Sequence, residues 1–438
     1  MTEIANSPEF DPYAIALEDI DPAQDELFEA DAHWGFFERL RKEDPVHYTA
    51  DSAYGPYWSL TRYKDIFQVD TDHDTFTSTH GVQMLRKRGD AGATPERTEE
   101  EKWEWEKEKY GEQREEMGYV SMFIALDPPK HDLQRATVSP VVAPTNLKKL
   151  ESTIRERAGK ILDDLPQDET FNWVDHVSIE LTTQMLATLF DFPFEDRRLL
   201  TRWSDIITDT ESVSHLSQEE RNVEMMDCLA RFTALWNERI DQPVQSDLIS
   251  MLANGKDTRD LKPFELLGNL ILLIVGGNDT TRNSISGGVL ALNQNPDQYA
   301  KLTADHSLIS TMVPEIIRWQ TPLSHMARNA TRDTELGGKK IKEGDRIVMW
   351  YASGNRDEEH IDRPNDFIID RPQARQHLSF GFGIHRCMGN RLAEMQLRVL
   401  WEEILKRYSK VEVVGEPKRT RSVFIRGYTQ LPVRVHPI

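Results

Sequence analysis

The chain has 438 residues, enough for a large single-domain enzyme or for two to three ordinary domains, and 38% of them are hydrophobic, which supplies a substantial core. A formal net charge of −21 argues against nucleic acid and anionic membrane surfaces as partners, since either would repel the chain overall. The longest apolar run, Leu270 to Val275, is far too short to cross a bilayer, the acidic N-terminus lacks the basic and apolar regions of a secretion signal, and only two cysteines occur, so a cytoplasmic protein without a membrane anchor is expected.

Residues 1 to about 25 are rich in Asp, Glu and Pro and read as a poorly ordered, extended acidic arm, ahead of one domain over residues 26–438. A short helix is expected from His33 to Arg41, then strand-like segments around Val46 to Tyr48 and Tyr57 to Leu60 that suggest a small β-region. Arg86 to Gly118 is strongly charged, with Trp103 and Trp105 among its acids and bases; it reads as a solvated helix or mobile loop, or else as a lid over a substrate entrance. At Asp127-Pro128-Pro129-Lys130-His131 a helix should start, with Asp127 able to cap it and the prolines tolerated in the first turn. His131 and Arg135 then share a face of that helix. Helical periodicity dominates Leu147 to Leu165, Trp173 to Phe190, Asp196 to Asp209 and Gln218 to Ile240, a bundle with short links whose turn near Glu211 to Ser217 could flex over a channel. Cys228 reads as ordinary core.

The long helix expected over Pro263 to Asn293 carries an apolar first half into Gly276-Gly277-Asn278-Asp279-Thr280-Thr281. Each mid-helix glycine costs about 1 kcal/mol relative to alanine, so the adjacent pair marks a weak turn. The Thr280 hydroxyl can bond the Gly276 carbonyl one turn back and bend the ladder, leaving a groove for a small ligand beside an Asp279–Thr280 carboxyl and hydroxyl pair. The bland alternative is a kinked helix with a satisfied aspartate. On the next helix, ending near Pro322, Glu315 and Arg318 stand three apart, a pair equally common on solvated faces. Ile341 to Met349, around Glu343-Gly344, and Val423 to Val433 look like β-hairpin arms.

Phe380-Gly381-Phe382-Gly383-Ile384-His385-Arg386-Cys387-Met388-Gly389 delivers one cysteine to the start of an amphipathic helix, whose Leu392, Met395, Val399 and Leu400 share a face. Unpaired backbone N–H groups and the positive helix end favour a thiolate at Cys387, and the glycines let a flat macrocycle approach the loop. A lone cysteine before a helix is more often a small buried hydrophobe. The spacing Phe-Gly-x-Gly-x-His-x-Cys-x-Gly reverses that preference, because it closely resembles the haem-ligand loop of the cytochrome P450 haem-thiolate monooxygenases.

The resemblance spans roughly residues 30–438 and implies a mainly α fold with small β-sheets, a triangular helical prism holding haem b between the long kinked helix and the Cys-loop helix. In that family the cysteine is the proximal iron ligand, here Cys387. His131, Arg135, Arg328 and His385 would hold the haem edge. Glu315 and Arg318 would join Arg371, in Phe367-Ile368-Ile369-Asp370-Arg371-Pro372, to brace the core, and Asp279 with Thr280 would deliver protons to bound O2. Met122 to His131, Gly276 to Gly288 and His377 to Leu405 are most similar to the soluble bacterial branch that hydroxylates linear alkanes and medium-chain fatty acids at the terminal carbon. Leu272, Val275, Gly276, Leu323, Ser324, Phe424 and Ile425 would line the substrate pocket. The implied partners are an apolar small-molecule substrate and a [2Fe-2S] ferredoxin with its reductase, carrying electrons from NAD(P)H to a monomeric enzyme and docking near Arg386, Arg391 and Arg398. Alternatives are hydroxylation of a terpenoid or other bulky substrate, a non-catalytic haem-binding sensor, and a cysteine hydrolase using Cys387 and His385, which has no evident orienting third residue.

Overall fold

The computed structural model describes residues 10–86, 116–208, 213 and 215–438. Among these are fourteen α-helices: α1 (Asp25–Glu29), α2 (His33–Glu43), α3 (Tyr63–Thr71), α4 (Lys130–Val138), α5 (Pro144–Asp163), α6 (Glu180–Phe190), α7 (Arg198–Ile207), α8 (Gln218–Arg239), α9 (Leu248–Asn254), α10 (Pro263–Gln294), α11 (Pro296–Ala304), α12 (Ile309–Gln320), α13 (Tyr351–Gly354) and α14 (Asn390–Ile404). Helix α10 is the axis of the molecule, since α6, α7, α12 and α14 all pack on it. Its apolar run explains that position: Leu266, Leu267, Leu270, Ile271 and Ile274 are all buried in the main core. A stripe this wide is stable in water only when neighbouring helices cover it.

The strands β1 (Val46–Thr49), β2 (Tyr57–Leu60), β3 (Phe76–Thr77), β5 (Met326–Ala330) and β8 (Arg346–Met349) form a mixed sheet in the order β1-β2-β8-β5-β3. Within it β2 lies parallel to β8, with Ser59 opposite Val348, and β5 lies antiparallel to β8, with Arg328 opposite Ile347. A second sheet joins β4 (Phe171–Asn172), β12 (Pro432–Pro437) and β9 (Tyr408–Val413). Two pairs complete the set, β6 (Thr334–Leu336) with β7 (Lys339–Ile341) and β10 (Lys418–Arg419) with β11 (Tyr428–Gln430).

Several expectations need correction. The N-terminal arm is not loose over residues 10–25: Ile20 is fully buried, its carbonyl meets His47 Nε2 at 2.8 Å, and Asp21 accepts the Tyr57 hydroxyl at 2.6 Å. Acidic composition concealed the apolar Ile20, Ala23, Leu27 and Phe28, which pack with Trp350 and Val423. Ile341 to Met349 is no hairpin, because β7 turns back onto β6 through Gly337 and Gly338, at φ of 54° and 80°, while β8 enters the large sheet. The C-terminal hairpin is displaced to 418–430, and Val433 belongs to β12. Asp127 does not cap α4; its carboxylate takes the Thr77 hydroxyl and the Ser78 N–H. Most of the charged 86–118 stretch, including Trp103 and Trp105, lies outside the described residues, as do Glu211, Ser212 and Ser214 of the turn at 211–217.

Candidate active site

The loop between Leu378 and α14 is shaped by its glycines. Gly381 and Gly383 have φ of 63° and 64°, a conformation closed to most side chains, and a Cβ on Gly383 would stand 2.3 Å from the Asp70 carbonyl oxygen. Cys387 N–H closes the loop by donating to Phe380 O at 2.7 Å. Asp70, at the end of α3, holds the loop from outside: its carboxylate accepts Phe382 N–H at 2.7 Å, the Tyr351 hydroxyl at 2.9 Å and Arg328 Nη2 at 2.9 Å. Nothing in the sequence around Asp70 signalled this role, which depends on three groups more than 250 residues away.

Cys387 opens into a large, mainly apolar cavity, which the glycine-containing turn of α10 also lines. Burial, the largest influence, pushes the Cys387 thiol up, while the Gly389 and Asn390 N–H groups and the charges of Arg135 and Arg386 pull it down.

On the α10 turn, Thr280 Oγ1 donates to Gly276 O at 2.8 Å, the back-bond expected from the sequence. Asp279 is not beside it. Successive helical residues point roughly 100° apart, so Thr280 borders the cavity while Asp279 faces α7. There its carboxylate is fully buried, accepts the Ser204 hydroxyl at 2.5 Å and pairs with Arg282, which also reaches Asp205 at 3.1 Å. Burial raises Asp279, against the opposing pull of Arg282.

At one edge of the cavity Arg135, Arg328 and His385 are lining residues, and the His131 and His385 rings meet edge to face at 4.5 Å. His385 is pushed down to about 2, first by burial and then by Arg328, His131 and Arg135, so it is neutral. Ser78 Oγ meets its Nε2 at 2.9 Å. His131 Nε2 and His385 Nδ1 are buried with no partner among the described residues. Two orphaned ring nitrogens beside two guanidinium groups suit an acidic ligand edge. A Cβ at Gly276 or Gly389 would meet no protein atom within 4 Å, although both residues border the cavity, so each wall is bare where a flat ring would rest. These residues fit a haem, whose iron Cys387 would hold.

The brace lies behind this site. Glu315 has no exposed surface and bonds Arg318 Nε at 2.8 Å and Arg371 Nε at 3.0 Å, and both guanidinium groups also donate to Asp366 O. Of the expected pocket residues, Leu272, Val275, Gly276, Leu323 and Phe424 line the cavity. Ser324 and Ile425 do not: the Ser324 hydroxyl turns to Val423 O, and Ile425 is fully buried opposite Leu323. Sequence reasoning missed Val82, Gln83, Met122, Ile124, Leu186 and Ile207, ordinary apolar or polar residues that only the tertiary fold brings to the cavity. Arg398 is engaged by Glu151 at 2.9 Å and Glu402 at 2.8 Å, which leaves Arg386 and Arg391 as the exposed cations of the expected docking face.

The cytochrome P450 family model matches residues 97–426. Linalool 8-monooxygenase of Pseudomonas putida is 33% identical over 92% of this chain and 95% of its own length. A methyl-branched lipid omega-hydroxylase of Mycobacterium tuberculosis is 30% identical over 92% of this chain and 91% of its own. Among solved structures, cytochrome P450-153 from Novosphingobium aromaticivorans is 41% identical, with a TM-score of 0.83 over 95% of this chain and 99% of that one. CYP153D17 from Sphingomonas sp. PAMC 26605 is 45% identical, with a TM-score of 0.84 over 95% and 98%.

Proposed function

The chain belongs to the cytochrome P450 family of haem-thiolate monooxygenases, and from that premise we propose that it hydroxylates the terminal carbon of linear alkanes or medium-chain fatty acids. Haem iron held by the Cys387 sulfur supplies the binding of O2 and the oxidation of the C–H bond. One oxygen atom enters the alcohol and the other leaves as water, so electrons and protons come from outside the site.

The protein's own residues decide where the oxygen goes. A methyl C–H bond is stronger than the methylene bonds beside it, so attack at a chain end needs geometry rather than intrinsic reactivity. Leu272, Val275, Leu323 and Phe424 wall the cavity with apolar surface near Thr280, and this arrangement is the observation that carries the reading. Orientation in such a site contributes several kcal/mol. The walls also exclude water, which would divert the oxidation.

Thr280 presents its hydroxyl at the cavity and passes protons there. Asp279 is the donor behind it, and it serves once its carboxylate leaves Arg282, which keeps Asp205 as a partner. Electrons come from NAD(P)H through a reductase and an acidic [2Fe-2S] ferredoxin drawn to Arg386 and Arg391. The omega-hydroxylase relative supports attack at a chain end. A second reading, hydroxylation of a bulkier terpenoid, draws on the linalool 8-monooxygenase relative. A product screen on octane, dodecanoic acid and a monoterpene with a ferredoxin system separates them: primary alcohols from the linear chains are expected, and a monoterpenol as the sole product would reverse the assignment. Haem binding without turnover of any substrate would instead favour a sensor.

A further inference from the structure

Asn269 is a polar residue within the apolar first half of α10, and it is only 1% exposed. A buried amide in such a place needs partners, and it has them on two other elements. Its Oδ1 accepts Phe123 N–H at 2.9 Å, and its Nδ2 donates to Gln134 Oε1 at 3.0 Å. Gln134 is buried on α4 and precedes Arg135, which borders the cavity. Phe123 begins a single 3-10 turn, Phe123–Ala125, in a segment otherwise free of helix or strand.

An independent contact lies one residue earlier. A Cβ on Gly268 would stand 2.2 Å from Ser121 O and 2.8 Å from Ser121 N, so the 121–125 segment rests backbone to backbone against the helix. Met122, Phe123 and Ile124 of that segment line the same cavity as Leu272, Val275 and Gly276 of α10. Asn269 precedes Gly276 by seven residues, roughly two helical turns. One side chain thus ties a wall of the pocket to the helix that carries the reacting turn.

We propose that Asn269 is a specificity-determining positioning residue: with Gly268 it latches the 121–125 segment to α10, so that this wall does not yield to the middle of a substrate chain. The inference rests on the terminal-hydroxylation reading above. A wall that yields admits a methylene group to the position reserved for the methyl end, and the weaker methylene bond then reacts first. The latch acts through geometry and takes no part in the chemistry.

Two variants disturb the latch differently. Asn269→Leu removes both hydrogen bonds at similar volume, and Gly268→Ala pushes Ser121 away with the amide intact. Both are expected to lower the ratio of terminal to subterminal alcohol from octane by roughly tenfold, a 1.4 kcal/mol step in discrimination, with the carbon monoxide absorption of the reduced holoenzyme unchanged. Asn269→Asp keeps an oxygen for Phe123 N–H and restores the ratio. An unchanged ratio in variants that keep that absorption overturns the proposal. Hydrogen exchange at the Phe123 amide of the unaltered holoenzyme decides the matter if the variants lose haem: slow exchange supports the latch, and exchange at the rate of a free peptide overturns it. Failure of the unaltered enzyme to make alcohol from linear chains would sink the substrate reading, while the amide still reports on the latch.

Discussion

Glu315 shows how one carboxylate can organise distant chain. It holds Arg318 one turn ahead on α12 and Arg371 from beyond the sheet, and it has no exposed surface. Removing one charge of a buried ionic group leaves the others uncompensated, so Glu315→Gln should destabilise the fold by about 3 kcal/mol or more. A urea midpoint and haem retention on gel filtration measure it. Two loop glycines provide a contrast. Gly383→Ala meets the Asp70 carbonyl at a positive φ and should cost the holoenzyme its haem-loop geometry, whereas Gly389→Ala meets no protein atom and should fold normally while weakening haem binding. Parallel titrations of the two variants with haem test both halves. At this scale Cys387, Thr280 and Glu315 were legible because each sits in a spaced pattern. Asp70 and Asn269 were not, because an aspartate at a helix end and an asparagine in an apolar run acquire meaning only from partners far along the chain.

Helix α10 combines two demands that compete in one element. Its apolar residues fill the core, while its Gly276–Thr280 turn must offer a hydroxyl to the cavity. Replacing Thr280 by alanine removes that hydroxyl and frees the Gly276 carbonyl without filling the cavity. The variant should bind haem and substrate normally yet lose about a hundredfold in alcohol formed per NAD(P)H consumed, the lower end of what a positioned proton donor contributes. Comparing reductant use with product and peroxide yields checks this. The helix was legible from its pattern almost to the residue, Pro263–Gln294 against an expected Pro263 to Asn293. Its facing was not, since periodicity fixes the angle between Asp279 and Thr280 but not which neighbour covers each side. The β-arms failed for a related reason: alternation marks a strand, and only pairing says whether its partner is the next strand or one 289 residues earlier, as for β2 and β8.

For the whole molecule, acid is the expected weakness. His325 and His377 are fully enclosed, and burial pushes each down to about 3. The unfolded chain protonates both near the ordinary value of about 6.5, so between about 6.5 and about 3 the unfolded state binds more protons than the folded one. Stability therefore holds above that window and falls as pH drops through it, by up to ~1.4 kcal/mol per pH unit for each histidine. Denaturant midpoints should be flat above about pH 7 and decline steadily toward about pH 5. The helical class and the absence of a bilayer-spanning helix among the described residues were both readable from composition and periodicity.

The parallel register of β2 against β8 carries a consequence for how the chain matures. Ser59 cannot find Val348, nor Phe28 find Trp350, until a ribosome has added 289 and 322 further residues respectively. Residues 20–60, with their apolar side chains and an unpaired strand edge, must wait through that interval. Chains whose early segments pair late are slow to close and adhesive meanwhile. Heterologous production should accordingly benefit from slower translation and abundant chaperones more than from added haem precursor alone.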